Sequence, residues 1–198
     1  MRNLTDMTDE ELATRYMEGD NQAFELLLKH NQSKVFSYIL FIVHDEERAN
    51  DIFQDTFIKI IVKLQQGQYA PTGKFNAWCM RIAHNVIMDR YRSIRNDRIV
   101  ETNKDNDLSS LASESIEVGN IEHDYVNRQV MEDVKKMVRM LPGTQREVVY
   151  MRFYQNLSFK EIAEVTNVSI NTALGRMRYA LLNMRKMARE HNLQLQLV

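Results

Sequence analysis

The chain has 198 residues, enough for one large or two small domains, and its formal charge of −1 with 44% hydrophobic residues is ordinary for a water-soluble globular protein. The single cysteine, Cys79, excludes an internal disulfide framework and a multi-cysteine zinc site, and His30, His44, His84, His123 and His191 are scattered with no pair at ligand spacing. No apolar segment follows a basic start and the longest apolar run, Ile39 to Val43, is far too short to span a bilayer, so neither signal peptide nor membrane insertion is expected and a cytoplasmic location is.

With two prolines and six glycines the chain favours long helices over turn-rich β structure. Thr8 and Glu11 form a capping box, and Gly19 ends the helix they start. Asp20 caps the next, which carries Phe24, Leu27, Leu28, Val35, Phe36, Ile39 and Leu40 at helical spacing. His44 interrupts, and Asp45 caps a third helix whose apolar stripe is Ala49, Ile52, Phe53, Phe57, Ile60, Ile61 and Leu64. Gly67, Pro71 and Gly73 break the pattern. A fourth helix then runs from about Asn76 to Arg95, burying Phe75, Trp78, Ile82 and Val86.

Residues 97–124 are rich in Asp, Asn, Ser and Glu and show no sustained periodicity, the composition of a flexible linker. Helix resumes with Val126, Val130, Val134, Met137 and Val138 and stops at Leu141-Pro142-Gly143. Thr144 and Glu147 make a capping box for the helix through Tyr154. Ser158 and Glu161 make one more, for a short helix with Ile162, Ala163 and Val165 on its buried side. Thr166-Asn167 is a tight turn, in which Asn tolerates the left-handed conformation, and Ser169 caps a last helix through Met187. Two helices joined by so short a turn form a helix-turn-helix, which presents its second helix to a DNA major groove. The expected fold class is all-α: two small helical domains, 1–95 and 125–191, joined by a flexible acidic linker, 96–124.

The charge is unevenly spread. Residues 1–96 hold 12 Lys and Arg against 13 Asp and Glu, residues 97–133 hold three against ten, and residues 134–198 hold 11 against four. A basic end is the electrostatic footprint of a phosphate-backbone binder, although a solvated helical face has the same composition. A second basic cluster, Lys74, Arg81, Arg90, Arg92, Arg95 and Arg98, lies inside and just past the first domain. On the third helix, Asp51, Gln54, Asp55, Ile58 and Val62 lie opposite the apolar stripe. An acidic and apolar surface patch suits a partner with a basic, helical surface. The plainer alternative is an ordinary Asp55–Lys59 surface pair with Ile58 packed on the second helix.

Both halves together resemble a sigma factor of bacterial RNA polymerase, of the small two-domain extracytoplasmic-function (ECF) type within the sigma-70 family. AFELLLKH at 23–30, ERANDIFQDTFIKI at 47–60 and GKFNAWCMRIAHNVIMDRYRS at 73–93 are similar to that family's region 2. LPGTQREVVYMRFYQNLSFKEIAEVTNVSINTALGRMRYAL at 141–181 is similar to its region 4, a block also found in the output domains of some response regulators, which lack the first block. The resemblance implies that Asp51, Gln54, Asp55 and Ile58 dock the clamp of the largest polymerase subunit. It implies that the flap of the second-largest subunit is a further partner. The loop from Tyr69 and the helix after it would melt the downstream (−10) promoter element and capture a flipped base. Lys74 on phosphate, with Asn76, Arg81 and Asn85, are the candidates; basic side chains interleaved with aromatics suit single-stranded DNA. Trp78 sits on the apolar stripe and reads as core before stacking platform. The resemblance also implies an anti-sigma factor that masks both domains.

In the last helix, Ser169, Asn171 and Thr172 offer hydroxyls, an amide and helix-start N–H groups to phosphate. Leu174, Gly175, Arg176, Arg178 and Tyr179 are the groove-facing candidates for the upstream (−35) element, and arginine to guanine is the commonest specific base contact. Ile170, Ala173, Met177, Leu181 and Met184 would be the core side. Many relatives carry a basic residue and then Ser where this chain has Leu174-Gly175. A glycine inside a helix costs about 1 kcal/mol against alanine, so Gly175 needs a reason. Close approach to DNA, with Leu174 on a thymine methyl, is one; close packing within the protein or simple drift is the other. Across the polymerase, the acidic linker would occupy a nucleic-acid path before RNA does.

Three other functions are weighed. A stand-alone helix-turn-helix regulator explains residues 141–189 but not the patch on the third helix or the second basic cluster. An enzyme finds no glycine-rich phosphate loop, no metal-ligand cluster and no nucleophile with a base, and Cys79 reads as a small buried hydrophobe; neither cofactor nor metal is expected. A helical scaffold without a DNA role leaves the charge asymmetry a coincidence.

Overall fold

The computed structural model describes residues 3–99 and 125–190, with side chains from 3 to 94 and from 132 to 190. The described residues form eight α-helices in two compact units. The first holds a 3₁₀ turn at Leu4–Asp6, then α1 (Asp9–Met17), α2 (Asn21–Val43), α3 (Glu46–Gln65) and α4 (Phe75–Ile99). The second holds α5 (Tyr125–Arg139), α6 (Gly143–Phe153), most of α7 (Phe159–Thr166) and α8 (Ile170–Glu190).

Helix ends fall where short polar side chains bond to the backbone. Thr8 accepts from the Glu11 N–H while Glu11 reaches back to Thr8, closing the capping box. The Asp20 carboxylate accepts from the N–H groups of Gln22 and Ala23, and that of Asp45 from Arg48. His44 ends α2 with φ of 56°, and Asn167 ends α7 with φ of 58°, both left-handed. Ser158 and Glu161 close the second capping box, and the Ser169 hydroxyl accepts from the Thr172 N–H at 3.0 Å.

Two local expectations are corrected. α6 starts at Gly143 behind Pro142, which offers only its carbonyl to Gln145 and Arg146; Thr144 is already inside the helix and Glu147 is buried rather than part of a capping box. α4 runs to Ile99, past the helix end expected at Arg95. Residues 100–124, the rest of the expected linker, lie outside the described residues.

The first unit's core joins Leu12 and Ala13 of α1, Leu27, Val35, Tyr38 and Ile39 of α2, Ala49, Ile60 and Leu64 of α3, and Met80, Ala83 and Ile87 of α4. Helical periodicity in each segment turns these onto one side. In the second unit α6 packs on α8, and the Asn183 amide donates to Gln145 Oε1 at 2.8 Å across that seam. α8 buries Ala173, Met177, Ala180 and Ala188. Ile170 and Leu181, expected in the core, are 45% and 42% exposed. Ala173 and Met177 are buried as expected, while the small Ala180 turns inward in place of its neighbour Leu181.

Candidate functional site

On α3, residues Asp51, Asp55, Ile58 and Val62 stand at i, i+4, i+7 and i+11, one straight row, and all are exposed together with Gln54. Ile58 is 58% exposed, so it is not packed on α2. Lys59 does not turn to Asp55: its ammonium lies 4.0 Å from Asp89 of α4. Asp51 lies 3.7 Å from Arg90 of α4. Exposed pairs of this kind add about 0–1 kcal/mol, so they orient the carboxylates more than they stabilise the unit.

Between α3 and α4 runs an open groove of about 530 Å³ with Ile58, Val62 and Asn85 among its walls. Ile58 and Asn85, assigned to different partners from the sequence, therefore share one surface feature. Arg81 and Asn85 are one turn apart on α4 and both exposed. Lys74 and Asn76 are half-buried at the start of that helix, and the side-chain carbonyl oxygen of Asn76 is buried without a hydrogen-bond partner among the described residues. Trp78 is half-buried, its ring 4.8 Å from Tyr69 and 5.7 Å from Phe75, as a member of an aromatic cluster. The basic tail is partly neutralised within the protein: Arg90 faces Asp51, and Arg92 lies 2.9 Å from Asp89. The side chain of Arg95 lies outside the described residues.

The loop before α4 is organised around Tyr69, which is 4% exposed. Its hydroxyl donates to Glu10 Oε1 of α1. Burial, then the hydrogen bond to Glu10, hold this phenol above its ordinary pKa, so it remains a donor. Burial likewise raises the Cys79 thiol, with the Asp9 and Glu10 charges adding to it, which leaves the sulfur a packing group and not a nucleophile.

On α8, Asn171, Leu174, Gly175, Arg178 and Leu182 share one outward face, with Thr172 and Tyr179 beside it. Arg178 is exposed and Tyr179 is 61% exposed, while Arg176 is half-buried and displaced to the flank. Ser169 and Thr172 are exposed with their hydroxyls 2.8 Å apart. A Cβ built on Gly175 meets nothing within 4 Å, so packing inside the protein does not explain this glycine. Gly175→Ala is therefore expected to raise the stability of the second unit by about 1 kcal/mol, read as a higher urea midpoint; a lower midpoint would show hidden crowding.

The sequence reading passed over two features. Phe153 and Tyr154 at the end of α6 are 64% and 57% exposed, with Tyr154 stacked on Tyr150 at 5.0 Å; two consecutive aromatics that cannot both face one core were the available signal. Glu10 had no signal beyond being an acid in the first turn of a helix. Among the described residues no group of three or more His, Cys, Asp or Glu is placed to hold a metal ion, and no helix is long and apolar enough to cross a membrane.

Two family models match the chain, Sigma-70 region 2 over residues 27–97 and Sigma-70, region 4 over residues 131–181. The RNA polymerase sigma-H factor of Pseudomonas aeruginosa is 27% identical over 183 residues, covering 88% of this chain and 90% of that protein. The ECF RNA polymerase sigma factor SigW of Bacillus subtilis is 24% identical over 175 residues, covering 87% and 92%. Among solved structures, the sigma factor RpoE in complex with the anti-sigma factor NepR from Bartonella quintana shares the fold, with a TM-score of 0.63 at 19% identity over 84% of this chain and 96% of that one. CnrH in complex with the cytosolic domain of CnrY does so with a TM-score of 0.62 at 21% identity over 92% and 97%.

Proposed function

From the premise that this chain belongs to the sigma-70 family, as an ECF sigma factor that directs promoter-specific initiation by RNA polymerase, we infer which of its surfaces meets which partner. The row Asp51, Asp55 and Ile58, with Gln54 beside it, binds the clamp of the largest polymerase subunit: carboxylates meet its basic groups, and Ile58 enters an apolar recess. The exposed aromatics Phe153 and Tyr154 meet the flap of the second-largest subunit. The first unit opens the downstream element through Lys74, Asn76, Arg81 and Asn85. Arg81, exposed one turn before Asn85, follows phosphate.

The second unit reads the upstream element as duplex. Ser169, Asn171 and Thr172 hold phosphate at the start of α8, while Leu174, Gly175, Arg178 and Tyr179 face the groove and Arg176 reaches backbone from the flank. The bond-making belongs to the polymerase, and this chain acts in the cytoplasm as its specificity factor. Its regulator is an anti-sigma factor that covers both units.

The observation that carries this reading is the pairing, in one chain and in this order, of a region-2 unit and a region-4 unit, each with an outward face unoccupied by its own core. Gel-shift titration separates it from the stand-alone regulator. The protein alone is expected to bind promoter duplex weakly, and together with core polymerase to bind it specifically; tight, polymerase-independent binding as a dimer would favour the regulator.

A further inference from the structure

The region-2 match begins at residue 27, so α1 lies outside it, yet α1 is firmly seated. Leu12 and Ala13 are fully buried, and Gln65 of α3 donates to the Tyr16 hydroxyl at 3.1 Å. Asp9 accepts from the Asn31 amide at 3.0 Å and lies 2.9 Å from His30 Nδ1, which ties α1 to α2. The next residue, Glu10, points elsewhere. Its Oε1 takes the Tyr69 hydroxyl and also the N–H of Phe75 at 2.9 Å, while Oε2 is buried without a hydrogen-bond partner among the described residues.

Phe75 is the first residue of α4, whose leading N–H groups have no partner within the helix. A carboxylate there satisfies a donor and opposes the positive end of the helix dipole. Glu10 thus caps α4 from another helix, and through the same oxygen it holds the ring around which residues 66–74 fold. Gly67 and Gly73, with φ of 66° and 77°, give that loop two left-handed turns.

We propose that Glu10 is a positioning residue for single-stranded promoter DNA, holding loop 66–74 and the start of α4 in their binding conformation before the strand arrives. This rests on assigning the first unit to the downstream element. Because Lys74 and Asn76 flank Phe75, releasing Glu10 loosens the segment that meets the strand, and ordering it again on binding weakens affinity.

The test uses holoenzyme reconstituted from core polymerase and full-length chain, with a labelled non-template-strand oligonucleotide spanning the downstream element of a promoter mapped by run-off transcription. Glu10→Ala is expected to weaken oligonucleotide binding about tenfold with affinity for core polymerase unchanged. Glu10→Gln, which keeps an acceptor oxygen, should restore most of the affinity. Asp9→Ala severs the tether of α1 to α2, and should lower the melting temperature while leaving oligonucleotide affinity within about twofold. Equal loss of oligonucleotide affinity in Asp9→Ala and Glu10→Ala would reduce α1 to a structural element and overturn the proposal. A wild-type holoenzyme that binds this strand no better than a scrambled one would instead remove the assignment of the first unit, and Glu10's role with it.

Discussion

Ile58→Lys is expected to weaken binding to core polymerase by about 30- to 1,000-fold while leaving the first unit folded, since a central apolar interface residue is worth about 2–4 kcal/mol. Ile58 is 58% exposed, so its removal opens no cavity, and lysine is at least as good a helix former as isoleucine. Lysine both removes the apolar contact and places a positive charge beside Asp55 and Asp51, inverting a face suited to a basic partner. Asp55→Lys should act in the same direction. Surface plasmon resonance with immobilised core polymerase reads the affinity, and thermal unfolding shows that the fold survives. Unchanged affinity would move the docking surface away from α3.

Arg178→Ala is expected to cost about 1–3 kcal/mol on the upstream element, roughly 5- to 150-fold, and to relax specificity at one base pair. Arg178 is exposed on the same outward face as Asn171 and Gly175, so the loss concerns DNA and not packing. Arg176→Ala, from the flank, should weaken all sequences alike and lower the salt dependence by about one counterion. Competition binding of holoenzyme to a panel of single-base promoter variants distinguishes the two. If Arg178→Ala weakens every variant equally, Arg178 is a phosphate ligand and base reading belongs to Leu174 or Tyr179.

The helix boundaries were largely legible because they are set by side chains that bond to backbone within three residues, as at Thr8, Asp20, Asp45, Ser158 and Ser169. The turn of the helix-turn-helix was legible for a similar reason: Asn167 accepts φ of 58° at little cost. The start of α6 was misread because Pro142 begins it without a side-chain bond, and Thr144 followed by Glu147 imitates a box already inside the helix. On α8, Ala173 and Met177 were legible as inward, whereas Ile170 and Leu181 were misread because apolar size drew them to the core side and Ala180 takes the inward place beside Leu181.

The candidate site divides along the same line. Faces of single helices, such as Asp51–Asp55–Ile58 or Asn171–Gly175–Arg178, follow from 3.6-residue periodicity and could be read locally. Pairings between helices could not. Arg90 with Asp51 and Lys59 with Asp89 required the packing of α4 on α3. Glu10 meets Tyr69 and Phe75 across 59 and 65 residues, a relation that no local spacing encodes.

Run-off transcription with purified bacterial core polymerase on fragmented genomic DNA, with and without this protein, tests the central claim most directly. Discrete starts that appear only in its presence, preceded by a shared pair of upstream and downstream elements, are the predicted result. An unchanged pattern of starts, alongside tight binding of duplex DNA by the protein alone, would contradict it.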